Sequence, residues 1–253
     1  MNKQDIQKHF PDTYMFFKNV SEKHPFWVAV ESISLRNAKA GKTLLTDMEQ
    51  MFSSLHLIDG YHSLQRKLEA ASSEDDLMDL LTRMYIAYIY RNHGARVITN
   101  GHKYEVEVEV ADQLLALGVV RFKNFKSLTE QFEHEIEEDI QHMKESAAEK
   151  KHEDSDEESK HFLSFLQDKA KEYTEEHPAA HYQVLATIGD WGRLWKQRAL
   201  ERRIARSKEE MQKHFPHIAG VVVVDPSPGK EKAKFIPFHE DDDDLEVLLD
   251  KKV

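Results

Sequence analysis

The sequence predicts an α/β or α+β domain in which a small mixed sheet of about four strands is packed by helices, with an N-terminal helical layer and a flexible acidic C-terminal tail. Three observations predict this class. Apolar side chains recur at helical spacing through much of the first 94 residues, valine-rich segments follow, and charged helical stretches separate those segments. The predicted divisions are residues 1–72 for the helical layer, 73–225 for the α/β core with a charged helical insertion at 127–176, and 226–253 for the tail.

The N-terminal layer is predicted from apolar positions that lie three and four residues apart. Proline is favoured in the first turn of a helix, and Pro11 and Pro25 stand where helices would begin. Glycine often terminates helices, and Gly41 and Gly60 stand where helices would end. We therefore expect several helices in this region.

The next helix is predicted between Ser73 and Gly94. Ser73 stands three residues before Asp76, a spacing that resembles a capping box, and Gly94 follows the last apolar position as a C-cap. Apolar residues between them keep a helical period, so both ends and the middle of this helix agree.

Four strands are predicted, at residues 95–98, 103–110, 119–125 and 219–224. Asn100-Gly101 predicts a hairpin turn between the first two. The fourth contains four consecutive valines, which predicts a strand buried on both faces. The helices predicted between the third and fourth strands span residues 127–151, 162–176 and 193–214, with a polar break at 152–160.

The composition limits the function. Lys and Arg total 35 against 46 Asp and Glu, so a net charge of −11 repels nucleic acid and anionic membranes, and only local basic patches could bind them. There are no cysteines, so a metal would need His, Asp or Glu ligands. The sequence has no signal peptide and no apolar run near the roughly 20 residues that span a bilayer, so we expect a cytosolic protein without membrane contact. Its oligomeric state stays open.

A candidate site lies on the second and third predicted strands. Alternation along the second strand places three carboxylates on one face, opposite a valine face: Glu105, Glu107 and Glu109. By the same alternation Arg121 and Lys123 share a face of the third strand. If these strands pair as a hairpin around residues 111–118, three acids face two bases. Two interpretations remain: cross-strand ion pairs, which stabilise a sheet without further function, or a metal-dependent hydrolytic site.

A longer pattern surrounds these residues: a helix that ends in glycine, a strand, a strand that bears acids, and a strand with a lysine. It is carried by Ala87, Tyr90 and Gly94, then by Ala95-Arg96-Val97-Ile98, Tyr104-Glu105-Val106-Glu107 and Val119-Val120-Arg121-Phe122-Lys123. This pattern resembles the PD-(D/E)XK nuclease superfamily, and a later helix followed by Gly220-Val221-Val222-Val223-Val224 is also similar to it. The resemblance implies a metal-dependent phosphodiesterase in which Glu105 and Glu107 hold Mg²⁺ or Mn²⁺ and Lys123 positions the attacking water.

Two positions depart from the superfamily pattern. Arg121 stands where the third strand has its carboxylate, and Arg83 where the helix often contributes a glutamate. Because arginine inverts the charge that would hold a divalent cation, we expect a relative without strong catalysis that needs no cofactor. Its expected role is a binding or regulatory component in nucleic-acid-related or defence-type processes, with Arg83, Arg121 and Lys123 as an anion-binding cluster. The metal-dependent nuclease, with Mg²⁺ or Mn²⁺, remains the alternative.

A basic helix supplies further candidates for nucleic-acid contacts. Arg198, Arg202 and Arg206 lie four residues apart and so share a stripe suited to successive phosphates. Trp191 and Trp195, at the start of this helix, could stack on bases. In the alternative interpretation the tryptophans belong to the core and the arginines pair with the acidic helix of the insertion.

The tail supports a third hypothesis, a helical adaptor that binds a protein partner. Its acidic residues 240–244 and the apolar residues that follow, up to Leu249, would dock on a basic surface. Truncation at Pro237 would then abolish the complex and leave folding intact.

Overall fold

The computed structural model describes residues 3–36, 38–99, 105–110, 113–121, 154–176, 183–188, 204–205, 207–225, 232–239 and 249–250. Within these residues the helices are α1 (Lys3–His9), α2 (Pro11–Phe17), α3 (Pro25–Arg36), α4 (Ala38–Ser54), α5 (Tyr61–Glu69), α6 (Glu74–Asn92), α7 (Asp154–Glu176) and α8 (Lys208–His214). A 3₁₀ turn, Leu55–Leu57, follows α4. The strands are β1 (Arg96–Ile98), β2 (Glu105–Val110), β3 (Gln113–Arg121), β4 (Gln183–Ile188), β5 (Ile218–Asp225) and β6 (Lys232–Pro237).

The six described strands form one mixed sheet whose order across the sheet is the order along the chain, β1-β2-β3-β4-β5-β6. β1, β2 and β3 form an antiparallel meander, β3, β4 and β5 run parallel, and β6 returns antiparallel to β5. Parallel neighbours need a crossover connection, and α7 and α8 lie in the connections on either side of β4. The α/β prediction is confirmed, but with six described strands instead of about four.

Hydrophobic clusters cover both faces of the sheet. Val222 and Val224 belong to the cluster that contains residues of α1–α6, whereas Val221 and Val223 belong to the cluster that contains residues of α7 and α8. Alternate residues of a strand point to opposite faces, so these two clusters lie on opposite sides of β5. The described residues thus form three layers, with the sheet in the middle. The prediction of a strand buried on both faces at residues 219–224 is confirmed.

Helix α6 lies at the centre of the first face. The Ser73 hydroxyl accepts a 3.1 Å hydrogen bond from the backbone N–H of Asp76, which confirms the predicted N-cap. Gly94 follows the helix with φ of 85°, a left-handed conformation that glycine adopts at low cost. Residues 80–90 are all buried, because α6 contacts α3, α4 and α5 as well as β1, β2 and β3.

The helix boundaries predicted in the N-terminal layer are confirmed at the prolines and wrong at the glycines. α2 begins at Pro11 and α3 at Pro25. Gly41 lies inside α4, and Gly60 precedes α5 instead of ending a helix. Gly60 is required there by close approach, because a Cβ atom would lie 2.3 Å from the Thr99 carbonyl oxygen and its φ is 82°.

The prediction of a flexible C-terminal tail is wrong for residues 232–239. β6 pairs with β5 from Lys232, opposite Asp225, to Pro237, opposite Gly220. Its alternate residues face the first cluster, where Phe235 is fully buried. The segment is therefore an edge strand of the core.

The same prediction is wrong for residues 249–250. Leu249 is fully buried in the first cluster, and the Asp250 carboxylate accepts a 2.7 Å hydrogen bond from the backbone N–H of Phe235. Truncation at Pro237 would remove Leu249 and the buried Phe238. The adaptor hypothesis therefore loses its premise that this truncation leaves folding intact.

The helices after the meander also differ from the prediction where they are described. α7 begins at Asp154, so the predicted polar break at 152–160 is wrong for residues 154–160. A turn at Ser207 precedes α8, so the predicted helix over 193–214 is interrupted there. The predicted helix at 127–151 and the turn at Asn100-Gly101 lie outside the described residues.

Candidate functional site

The pairing of β2 with β3 separates the predicted acidic and basic site residues. Glu105 pairs with Gly118, Glu107 with Ala116 and Glu109 with Leu114. The predicted register, in which these glutamates face Arg121 and Lys123, is therefore wrong, because β3 begins at Gln113 instead of after Gly118. The apolar run before Gly118 is part of the strand.

Arg121 and Glu107 lie on opposite faces of the sheet. Directly paired strand residues share a face, so Glu107 shares its face with Ala116 and Gly118. On this face Gly118 lies under the ring of Tyr173 in α7, and a Cβ atom there would be 2.9 Å from that ring. Arg121, three residues beyond Gly118, points to the other face, toward α6. The acids of β2 and Arg121 thus form no common site.

Two carboxylates of α6 bind the guanidinium of Arg121. Its Nε donates to Asp79 Oδ1 at 2.9 Å, and its Nη2 donates to Asp75 Oδ1 at 2.9 Å. The Arg121 side chain is only 9% exposed, whereas those of Asp75 and Asp79 are 66% and 40% exposed. Because the fixed fork of arginine suits two oxygen acceptors, this contact joins β3 to α6 in a defined geometry.

Arg83 continues this face of α6. Asp75, Asp79 and Arg83 are four residues apart and therefore line up along the helix. Arg83 is buried, with 6% exposure. Burial lowers the pKa of Lys67 in α5, and the positive charge of Arg83 lowers it further. Lys67 and Arg83 therefore raise the local positive potential where α5 meets α6.

A second arginine, Arg96, forms a cross-strand ion pair with Glu109 of β2. Arg96 in β1 pairs with Glu109 in the register, and Arg96 Nη1 donates to Glu109 Oε2 at 3.1 Å. Arg96 Nε also donates to Asp59 Oδ2 at 3.0 Å. The hydrogen bond to Asp59, then that to Glu109, raises the pKa of Arg96. Glu109 thus takes part in a cross-strand ion pair, but with Arg96 of β1 instead of with Arg121 or Lys123 of the third strand.

Several predicted site residues lie outside the described part of the chain: Lys123, Arg198, Arg202 and Arg206, and the side chain of Glu105. The backbone of Glu105 is placed in β2. In the part of the chain that is described, no three His, Asp or Glu side chains are grouped to hold a metal ion. None of the described helices is both long and apolar enough to cross a membrane.

The fold and these contacts define an α/β protein with a six-stranded mixed sheet that helices cover on both faces, counted over the described residues. No family model, curated protein or solved structure matches the chain.

Proposed function

We propose that this protein binds nucleic acid without cleaving it, as a cytosolic binding or regulatory component in nucleic-acid-related or defence-type processes. The observation that carries the absence of cleavage is the ion pairing of Arg121 with Asp75 and Asp79. Arg121 stands where the resemblance to PD-(D/E)XK nucleases implies a carboxylate.

The contacts of Arg121 disfavour metal binding on this face of the sheet. A nuclease of that kind needs carboxylate oxygens directed at a divalent cation. Here one oxygen of Asp75 and one of Asp79 accept hydrogen bonds from a permanently charged guanidinium, which supplies positive charge itself. Glu107 lies on the opposite face and adds no negative charge to this cluster. The chemistry favours binding over hydrolysis.

The order of the elements gives further support. The resemblance implies a helix followed by three strands, and a later helix that precedes residues 220–224. α6, β1, β2 and β3 follow in that order, and α8 precedes β5, with α7 and β4 between the two groups. Gly94 after α6 and Glu107 on β2 also stand in the positions that the resemblance assigns. The proposed fold relationship therefore rests on order as well as on motif residues.

Lys67 and Arg83 are the described cations that we propose as a phosphate-attracting pair. Burial and then the charge of Arg83 lower the pKa of Lys67, so an anion beside both groups would relieve the repulsion between them. Lys67 is half-buried and lies in the last turn of α5. Lys123, Arg198, Arg202 and Arg206 are the proposed further contacts outside the described residues.

Fluorescence anisotropy with labelled single-stranded DNA, duplex DNA and RNA tests binding. We expect affinity at low salt that falls as salt rises, because counterions are released from the phosphates. Lys67→Gln should weaken binding to all sequences alike and reduce the salt slope by about one charge. Replacing Arg198, Arg202 and Arg206 together by glutamine should lower the affinity further.

Arg96→Gln is the matched control, because Arg96 is a cation already bound to two carboxylates at an exposed edge. It should leave the affinity unchanged. Absence of salt-dependent binding to all three nucleic acids would overturn the proposal.

A cleavage assay with Mg²⁺ or Mn²⁺ separates the proposal from the nuclease alternative. We expect the labelled nucleic acids to remain intact. Cleavage that disappears in Glu107→Ala would contradict the proposal and establish metal-dependent hydrolysis with Glu107 as a participant.

A further inference from the structure

A cavity lies between α1 and α3, remote in sequence from the nuclease-like segment. Its volume is about 500 Å³, within the range of small-molecule sites. The residues that line it are Lys3, Asp5, Ile6, Glu22, Trp27, Val30, Glu31 and Leu35. Four of these are apolar or aromatic, three are acidic and one is basic.

The apolar part of the lining is suited to an apolar ligand body. Ile6 and Val30 are buried, with 1% and 4% exposure, and form fixed parts of the lining. Leu35, two turns after Trp27 on the same side of α3, is 80% exposed. A ligand that covered Leu35 would remove apolar surface from water, which favours binding.

The face of Trp27 already attracts a cation. The ammonium nitrogen of Lys3 lies 4.9 Å from the centroid of the Trp27 ring. A cation at this distance interacts favourably with the negative face of the indole. Lys3 lies in α1 and Trp27 in α3, so the two helices that border the cavity contribute the cation and the ring.

The indole N–H of Trp27 is a second feature of the cavity lining. Trp27 is 8% exposed, and its Nε1 is buried without a hydrogen-bond partner among the described residues. Buried indole N–H groups usually find an acceptor, because an unpaired buried donor is costly. A ligand with a carbonyl group would supply one once the groups that cover Nε1 move aside.

The charge of the lining favours a cationic ligand. Asp5, Glu22 and Glu31 outnumber Lys3. Glu22 and Glu31 are exposed, and their side chains make no hydrogen bond or ion pair within the part of the chain that the structure describes. Their carboxylates can therefore attract a cation that reaches the cavity.

We propose that this cavity binds a small organic cation, an alkylammonium with an apolar stem and a carbonyl acceptor. Its ammonium lies over the Trp27 ring, its stem contacts Val30 and Leu35, and its carbonyl accepts from Trp27 Nε1. Lys3 holds the ring face in the ligand-free protein and moves away when the ligand binds. This site goes beyond the proposed nucleic-acid binding and does not depend on it.

The probe is Nα-acetyl-lysine-N-methylamide, which carries an ammonium, an alkyl stem and carbonyl groups. Its matched control is Nα-acetyl-norleucine-N-methylamide, which keeps the stem and carbonyls but has no charge. The readout is the indole N–H signal of Trp27 in a ¹H–¹⁵N NMR spectrum of the full chain, assigned by its disappearance in Trp27→Phe. We expect a saturable shift with the lysine probe and a much smaller one with the norleucine probe.

Variants of the lining test the roles of the charges. Lys3→Met keeps the apolar stem but frees the ring face, and should tighten lysine-probe binding about two- to fivefold. Glu31→Gln should weaken it, whereas Glu209→Gln, an exposed carboxylate on α8, should leave it unchanged. An unshifted Trp27 signal, equal shifts with both probes, or an unchanged or weaker affinity in Lys3→Met overturns the proposal.

Discussion

The hydroxyl of Tyr90 in α6 donates a 3.1 Å hydrogen bond to the backbone carbonyl of Leu249, 159 residues later in the chain. Both residues are fully buried. Burial raises the pKa of Tyr90 far above its ordinary value, and the negative charge of Asp250 raises it further. The hydroxyl therefore stays protonated and acts as a permanent donor that ties residues 249–250 to the central helix.

Removal of this hydroxyl should destabilise the fold. Tyr90→Phe leaves the buried Leu249 carbonyl without its donor, so we expect a loss of about 1–2 kcal/mol in the free energy of unfolding. Urea denaturation followed by circular dichroism measures it. Tyr14→Phe is the control, because Tyr14 is only half-buried and its hydroxyl makes no hydrogen bond among the described residues. Equal losses in both variants would contradict the assignment.

The two arginines that each bind two carboxylates should differ in their effect on stability. Arg121→Gln breaks two charge-assisted hydrogen bonds of a side chain that is 9% exposed, so we expect a loss of about 1–3 kcal/mol. Arg96→Gln removes contacts of a side chain that is 63% exposed, where water screens the charges, and should have a much smaller effect.

Denaturation of both variants at low and high salt checks this difference. The Arg121 effect should fall less at high salt than the Arg96 effect, because the Arg121 side chain is only 9% exposed and its charge is screened less. A larger loss in Arg96→Gln than in Arg121→Gln would refute the structural role assigned to Arg121.

Low pH should destabilise the N-terminal layer because it favours protonation of His24. Its Nε2 donates to the Leu68 carbonyl at 3.0 Å, and its Nδ1 accepts from the Phe26 N–H at 3.2 Å, so a proton on Nδ1 breaks the second bond. Burial lowers the pKa of His24 from 6.5, partly offset by the bond to Leu68. The unfolded chain therefore binds this proton more readily, and stability is lost as the pH falls below 6.5 toward the lowered pKa.

The test compares urea midpoints at about pH 7.5 and about pH 5.5, on either side of the ordinary histidine pKa. His24→Gln should show a smaller drop between the two than the unchanged protein. His56→Gln, at an exposed position, should retain the full drop. An identical pH dependence in all three proteins would exclude His24 as the group responsible.

The contact of Gly118 with Tyr173 predicts a size limit in β3. A Cβ atom at Gly118 would lie 2.9 Å from the Tyr173 ring, which is 2% exposed and cannot easily move. Gly118→Ala should therefore cost about 1–3 kcal/mol by overpacking. The same substitution in a Tyr173→Leu background should cost less. If the costs are equal in both backgrounds, the ring does not set the limit.

Features with a local cause were predictable from the sequence. The Ser73 cap depends on residues within one helical turn, and the apolar run around Val222 is enough to predict a strand there. The prolines at the starts of α2 and α3 act through their own φ angle. These elements needed no knowledge of the surrounding structure.

Features that depend on distant residues were not predictable. In the sequence, Gly118 suggests a turn. In the structure it lies in a strand, which needs glycine there because of the ring of Tyr173, 55 positions later. β6 follows a segment rich in proline and glycine, and only its pairing with β5 makes Phe235 a core residue. The error in the candidate site has the same origin, because a different start for β3 changes which residues oppose the glutamates of β2.

The agreement between strand order and chain order affects how the protein reaches its native state. Among the six described strands, none must insert between two partners that already pair, so this sheet can grow from β1 toward β6 one edge at a time. The slowest step should be the pairing of β3 with β4, which are separated by residues 122–182. The entropy cost of bringing two strands together rises with the number of residues between them. Refolding should therefore assemble the meander against α6 first and add the parallel strands afterwards.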